Sequence, residues 1–391
     1  MKKPAKLEIG VLYGFRALMV LFVMNFHLWQ QSWIPQEIRL FGQTIGMDFW
    51  TRSSYLFVDG MILLSGFLLY LPYARALREG TAAPTVKRFY FNRVVRIVPS
   101  YLFAVLTALF AIAIPQHLYH SGAAMTRDVL SHFTFTFLFW PDTYIYTPLN
   151  VALWTIAVEM QFYLIFPLLA KAMGKRPVLT SALMMAAAWA YRFCVARFAQ
   201  DTNMLLNQMI AFLDVYAIGM LGAVAYCRVR RWMATTARYE RLLVYLLSVT
   251  VFTLGVYALV AILQTQSTAS VSGNEALRLS QMAMRLPLTI TLGLMMFAAA
   301  HWPAILQKLL DNRLTRFLST ISMNLYIWHQ VLAVQMRIAW FPDANLLHSD
   351  RNLQSAYTLL CVSVALVVAM AVTYGLEQPV SRWANKRFKV Q

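Results

Sequence analysis

The chain has 391 residues, of which 60% are hydrophobic and 13% charged, with a formal net charge of +18. Soluble domains carry about twice that charged fraction, so the composition excludes an ordinary water-soluble enzyme and indicates an integral membrane protein. The positive excess belongs in loops beside anionic lipid; no nucleic-acid partner is expected.

Apolar windows of the roughly 17–25 residues needed to cross a bilayer occur at about 11–29, 55–73, 97–115, 149–170, 178–198, 208–227, 242–264, 286–301, 317–338 and 356–376. The expected fold class is therefore all-α, a polytopic membrane protein with about ten transmembrane helices. A further run, 129–140, is short and alternates polar and aromatic residues, which suits an interfacial or re-entrant segment. The basic N-terminal residues resemble a signal peptide. No small-residue cleavage site follows, and the first run holds Arg16, Asn25 and His27, so a retained first helix is expected.

Charge orients the windows. With the N-terminus inside, most lysines and arginines fall in alternate loops: Lys2, Lys3 and Lys6, then Arg75 to Arg96, Lys171 to Arg176, Arg228 to Arg241, Lys308 to Arg316 and Arg382 to Lys389. That bias predicts both termini cytoplasmic. Counting 129–140 as a span would put the basic run around Arg230 outside. No loop is long enough for a soluble domain, so residues 1–391 are expected to form a single multi-pass domain of the inner (plasma) membrane. Cys194, Cys227 and Cys361 lie in or beside apolar runs without ligand spacing, and are expected to pack rather than pair.

Charged and titratable groups at membrane depth are costly and seldom idle. Arg16 and His27 are eleven residues apart, about three turns, which places them on one face roughly 16 Å apart. Either a polar path runs along this helix, or Arg16 snorkels and His27 bonds a neighbouring helix. Asp59 enters the second window at the height where His27 leaves the first. It either orients the imidazole or complements the helix dipole. Ser65-Gly66 permits close helix approach.

Arg93 and Arg96 share a helical face before Pro99 and form either a phosphate clamp or a positive-inside flank. Glu159 falls near the middle of the fourth window, where it pairs with Arg16, meets a hydroxyl substrate or works with His27. Trp154 and Tyr163 are candidate linings of an organic-ligand cavity. Ser322, Tyr326 and His329 form one stripe of the ninth window. Glu377-Gln378-Pro379 reads as a helix stop. His117, His120 and His132 have no metal-site pattern, and no metal or bound cofactor is expected.

Arg16…His27, Asp59…Ser65-Gly66-Phe67, Asn92-Arg93-Val94-Val95-Arg96-Ile97-Val98-Pro99, Trp154…Glu159…Phe162-Tyr163…Pro167, Ser322…Tyr326…His329 and Glu377…Pro379 resemble the ordered signatures of the acyltransferase family 3 integral-membrane acyltransferases. The chain departs from the family pattern at Gly60-Met61, usually a bulky aromatic pair, and at Asn92, often an arginine. The resemblance implies transfer of an acyl group, usually acetyl from acetyl-CoA, to a hydroxyl of a sugar or other small acceptor. It makes His27 the essential histidine, Arg16 its paired arginine, and Arg93 with Arg96 the motif toward the CoA donor. Within that reading His27, Glu159 and Asp59 are the catalytic candidates. Arg16, Arg93, Arg96, Ser65, Trp154, Tyr163, Ser322, Tyr326 and His329 are the donor- or substrate-binding candidates. The partners expected are acyl-CoA, a carbohydrate or other hydroxyl acceptor, and the lipid bilayer. A proton-coupled secondary transporter is the rival class.

Overall fold

The computed structural model describes residues 8–199, 202–341 and 343–388; Lys2, Lys3, Lys6 and Lys389 of the charge pattern lie outside the described residues. Ten long helices account for the ten apolar windows. They are α1 (Val11–Ser32), α2 (Phe57–Glu79), α3 (Val86–Thr107), α4 (Trp154–Lys175), α5 (Pro177–Phe198), α6 (Leu213–Thr235), α7 (Arg238–Val271), α8 (Asn274–Ala300), α9 (Arg313–Trp340) and α10 (Arg351–Val372). Among the described residues nine helices are long and apolar enough to cross a membrane. The tenth window forms α9, whose 28 residues have the length but carry buried Ser319, Ser322, Asn324 and His329. A helix whose polar side chains turn inward is one that neighbours, rather than lipid, surround. The chain is an all-α, polytopic membrane protein.

Two boundaries differ from expectation, and the 129–140 run, as expected, forms no full span. Thr85 caps α3 by accepting from the Arg88 amide, so the helix starts at Val86 and carries Arg93, Arg96 and Pro99 within it. The Arg93–Pro99 run is thus part of a membrane helix, not its approach. The segment 129–140 does not continue as one helix, because Gly122–Phe133 ends in a turn followed by a short 3-10 stretch, Phe137–Phe139. Glu377-Gln378-Pro379 is not a helix stop. A π-turn at Thr373–Glu377 absorbs the surplus residue, and helix resumes at Gln378–Arg387 with Pro379 at its start, where a missing amide is tolerated.

The core sits where α1 and α2 meet α6, α8 and α9. Helices α2 and α6 cross at glycines. A Cβ on Gly219 would meet the Leu63 carbonyl and the Phe67 amide, and one on Gly66 would meet the Tyr216 backbone. Only hydrogen side chains allow this approach. Helix α7 is peripheral, with Leu242, Leu243, Leu246, Leu247, Leu254 and Tyr257 exposed along it. On a membrane helix, such exposure marks the lipid-facing side.

The end of the bundle opposite the basic loops is covered by irregular chain. A hairpin, β1 (Glu37–Leu40) with β2 (Gln43–Gly46), turns at Phe41 and Gly42. Gln36 and Asn25 exchange side-chain hydrogen bonds of 2.6 and 3.2 Å, which ties this segment to α1 near His27. The 114–150 loop is organised by Asp128, whose Oδ2 accepts from Tyr119 (2.7 Å) and Thr147 (2.8 Å).

Candidate active site

A cavity of about 190 Å³ opens between α1, α2, α3, α4 and α9. That is far more than one water requires. Arg16 from α1, Arg93 and Arg96 from α3, and Glu159 from α4 all line it. Their arrival in one place follows from helical phase. Arg93 and Arg96 are three apart, and Thr155, Glu159 and Tyr163 succeed one another at four-residue intervals, so each set projects along one face.

Glu159 is held at both oxygens. Ser65 of α2 donates to Oε1 at 2.5 Å and the Tyr163 hydroxyl donates to Oε2 at 2.8 Å. The Arg93 guanidinium lies 5.7 Å from the Phe89 ring centre and 5.6 Å from that of Tyr163, and its buried Nε has no partner. Among the described residues, none of Arg16, Arg93 and Arg96 forms an ion pair with a carboxylate. Three guanidiniums face one carboxylate, an excess of positive charge in a place poor in water. Planar guanidiniums left this way are matched to a multiply charged oxyanion such as phosphate or pyrophosphate.

Arg96 also borders a second, wider recess of about 300 Å³ at the basic end, with Asn92, Ser381 and Arg382 on its rim. Glu377 stands there as well, its Oε2 taking a 2.8 Å bond from Asn324. Arg96 therefore lines both the polar recess and the cavity.

Toward the other end, Ser322 and Tyr326 of α9 line the cavity. Ser322 donates to the Ser319 carbonyl (2.8 Å). Beyond them the α9 stripe continues into His329, whose ring lies 5.5 Å from that of Tyr326 and 5.2 Å from that of His27. His27 and His329 do not line the cavity itself; they stand together past its Tyr326 end. His27 Nδ1 is 2.9 Å from Gln30 Oε1. This contact fixes the orientation of the His27 ring against its own helix.

Two candidates fall elsewhere. Asp59 does not orient His27. It is buried and its Oδ2 accepts from Arg285 Nε of α8 at 3.0 Å. Trp154 does not reach the cavity either, and its ring packs 6.0 Å from that of Phe212. Nine residues separate it from Tyr163, which at about 100° each is half a turn out of phase.

Several polar residues escaped the sequence reading. Arg285 stacks over Phe212 at 4.0 Å and bonds the Leu206 and Ala211 carbonyls as well as Asp59. Arg192 of α5 makes a two-pronged bridge to Asp214 of α6, at 3.0 and 2.6 Å, and shares the Ala211 carbonyl. The signal was partly present in the sequence: Asp59, Arg192 and Asp214 sit inside apolar windows and Arg285 at the edge of one. Asn150, which bonds the Ile327 carbonyl (2.7 Å) and so anchors α9 beside the site, carried no such signal.

A multi-pass helical bundle with an arginine-lined cavity leading toward an intramembrane histidine defines the class. The family model for the acyltransferase domain matches residues 11–374. The chain belongs to this family, acyltransferase family 3, and is an acyltransferase of the membrane. No curated protein and no solved structure matches it.

Proposed function

We propose that the protein transfers an acetyl group from cytoplasmic acetyl-CoA to a hydroxyl of a glycan, a surface or exopolysaccharide or its lipid-linked precursor, at the far side of the plasma membrane. The observation that carries this reading is the cluster of Arg16, Arg93 and Arg96, without ion-pair partners among the described residues, in a cavity beyond whose Tyr326 end stand His329 and His27. In this reading both termini are cytoplasmic, no cofactor is retained, and acyl-CoA acts as a substrate.

The donor's phosphates dock on Arg93 and Arg96 from the open recess. The pantetheine arm runs along the Arg16 face of α1, whose Arg16-to-His27 rise is roughly 16 Å. Ser65, Glu159 and Tyr163 form a wall of hydroxyls around one carboxylate, which suits the amides of that arm. His27 Nε2 takes the proton of the acceptor hydroxyl as the acetyl carbon changes partner, or takes the acetyl group itself and passes it on. Gln30 holds the ring in place through Nδ1. In this reading Asp59, bound to Arg285, holds the α2–α8 packing.

The test is radiolabelled acetyl-CoA added to membrane vesicles containing the full chain. Label in a glycan or lipid-linked fraction is expected. His27→Ala should lower the rate by about 10²–10⁴-fold, the usual worth of a general base. Undiminished labelling by that variant sinks the proposal. Uptake of a solute without acetyl transfer identifies a carrier instead.

A further inference from the structure

His329 is the group nearest His27 that the transfer reaction does not yet use. Its side chain is 1% exposed. Its Nδ1 faces two carbonyls, Tyr326 at 2.7 Å and Leu325 at 3.2 Å, both acceptors only. The ring proton is therefore on Nδ1, and Nε2 carries a bare lone pair. That Nε2 is buried and has no partner. An orphaned acceptor in a protein interior is rare and destabilising, so a function that supplies the missing donor is the natural place to look.

His27 is placed to supply that donor. The His27 and His329 rings are 5.2 Å apart between centres with their planes tilted by 47°, so a turn of the His27 ring would bring a ring nitrogen to His329 Nε2. No bond joins them at rest, and the α9 carbonyls hold the His329 ring proton on Nδ1, so His329 Nε2 can only accept. The other titratable neighbour in ring contact with His329 is Tyr326, one turn down the same helix. The remaining partners of this part of α9 are uncharged: Asn150 on the Ile327 carbonyl, Tyr357 of α10 on the Ala333 carbonyl, and Phe103 of α3 against Trp328.

We infer that His329 is a positioning residue that holds the transferred proton jointly with His27. This rests on the functional reading above and adds a second imidazole to it. The acceptor O–H bond breaks and its proton goes to His27 Nε2. The acceptor oxygen bonds the acetyl carbon as the carbon–sulfur bond breaks. The new N–H of His27 is shared between the acceptor oxygen and His329 Nε2, which holds the imidazolium in place and solvates its charge in an apolar surround. The proton then passes to the CoA thiolate, and both rings return to their neutral state.

Asparagine and glutamine separate this role from simple packing. The amide of asparagine overlays Nδ1 of a histidine ring, and that of glutamine overlays Nε2. His329→Asn keeps the bond to the Tyr326 carbonyl and loses the acceptor; His329→Gln keeps an acceptor oxygen where Nε2 stood. With radiolabelled acetyl-CoA and vesicles containing the full chain, His329→Asn is expected to lower kcat by about 100-fold. The KM for acetyl-CoA should stay within about twofold. His329→Gln should recover at least about tenfold of the loss. A His329→Asn enzyme as fast as the parent, or a His329→Gln enzyme no faster than His329→Asn, overturns the inference. If the asparagine variant does not fold, the ¹⁵N signal of His329 Nε2 in histidine-labelled protein gives the answer. It should move in His27→Gln, and an unmoved signal overturns the inference. Full activity in His27→Ala would instead remove the functional reading itself. Loss there combined with full activity in His329→Asn removes only the shared proton.

Discussion

Two groups of buried charges occupy this bundle, and they differ in completeness. Around Phe212, Asp59 meets Arg285 and Asp214 meets Arg192, and both arginines reach the same Ala211 carbonyl. Each carboxylate there has its guanidinium. In the cavity, Arg16, Arg93 and Arg96 share one carboxylate, and that carboxylate takes its hydrogen bonds from Ser65 and Tyr163. Both groups use the same residue types inside the membrane domain. The difference teaches that an intramembrane charge indicates function only after its partners are counted. Complete pairs fasten helices, whereas surplus cations wait for an anion.

The largest effect should come from breaking a complete pair. Asp214→Ala leaves Arg192 buried without its counter-charge, which is expected to destabilise the protein by about 3–5 kcal/mol. Thermal unfolding of the purified protein in detergent would measure it. Replacing both partners, with Arg192→Met and Asp214→Leu together, should restore most of the loss, because the desolvation penalty goes with the charges. A double variant as unstable as Asp214→Ala would mean that the bridge does more than fasten α5 to α6.

The opposite outcome is expected in the cavity. Arg93→Gln removes one of three like charges, so the unfolding temperature should stay level or rise. The KM for acetyl-CoA should increase about 10–100-fold, the worth of one charge-assisted bond to phosphate. An unchanged KM with a lowered unfolding temperature would move Arg93 into the structural group. Glu159→Gln sharpens the point in the other direction. It raises the surplus positive charge while the amide oxygen still accepts from Ser65, so the KM for acetyl-CoA should fall by about threefold. A rise in KM would assign the carboxylate to donor contact.

How much of this was legible in the sequence follows from what a one-dimensional pattern carries. Hydropathy located all ten helices, including α9 despite its polar stripe, because that stripe repeats with helical period. Depth was legible too, and it brought out Arg16, His27, Asp59 and Glu159. Helix order around the bundle was not. Asp59 and Arg285 stand 226 residues apart, and nothing local says that α2 and α8 are neighbours. Asp59 was therefore assigned to His27, which shares its height, rather than to the arginine that shares its interface. Boundaries failed for local reasons. Pro99 and Pro379 suggested starts and stops, yet one lies inside a helix and the other follows a π-turn. The convergence of Arg16, Arg93 and Arg96 depends on three helices meeting, which only the packed structure displays.

Trp154 offers the smallest predicted effect and a clean separation of the two groups. Sequence placed it beside Tyr163 as a cavity wall, but the helical phase turns it away. It packs on Phe212, the same ring that Arg285 covers on behalf of the complete pairs. Trp154→Phe keeps an aromatic ring there and removes only part of its area, so a loss of about 1 kcal/mol in stability is expected. The KM for acetyl-CoA and the rate of acetyl transfer should both stay within about twofold of the parent. If that conservative change raised the KM tenfold while leaving the unfolding temperature alone, the cavity would have to extend across α4 to its other face. The division between a closed charge group at Phe212 and an open one at Glu159 would then fail.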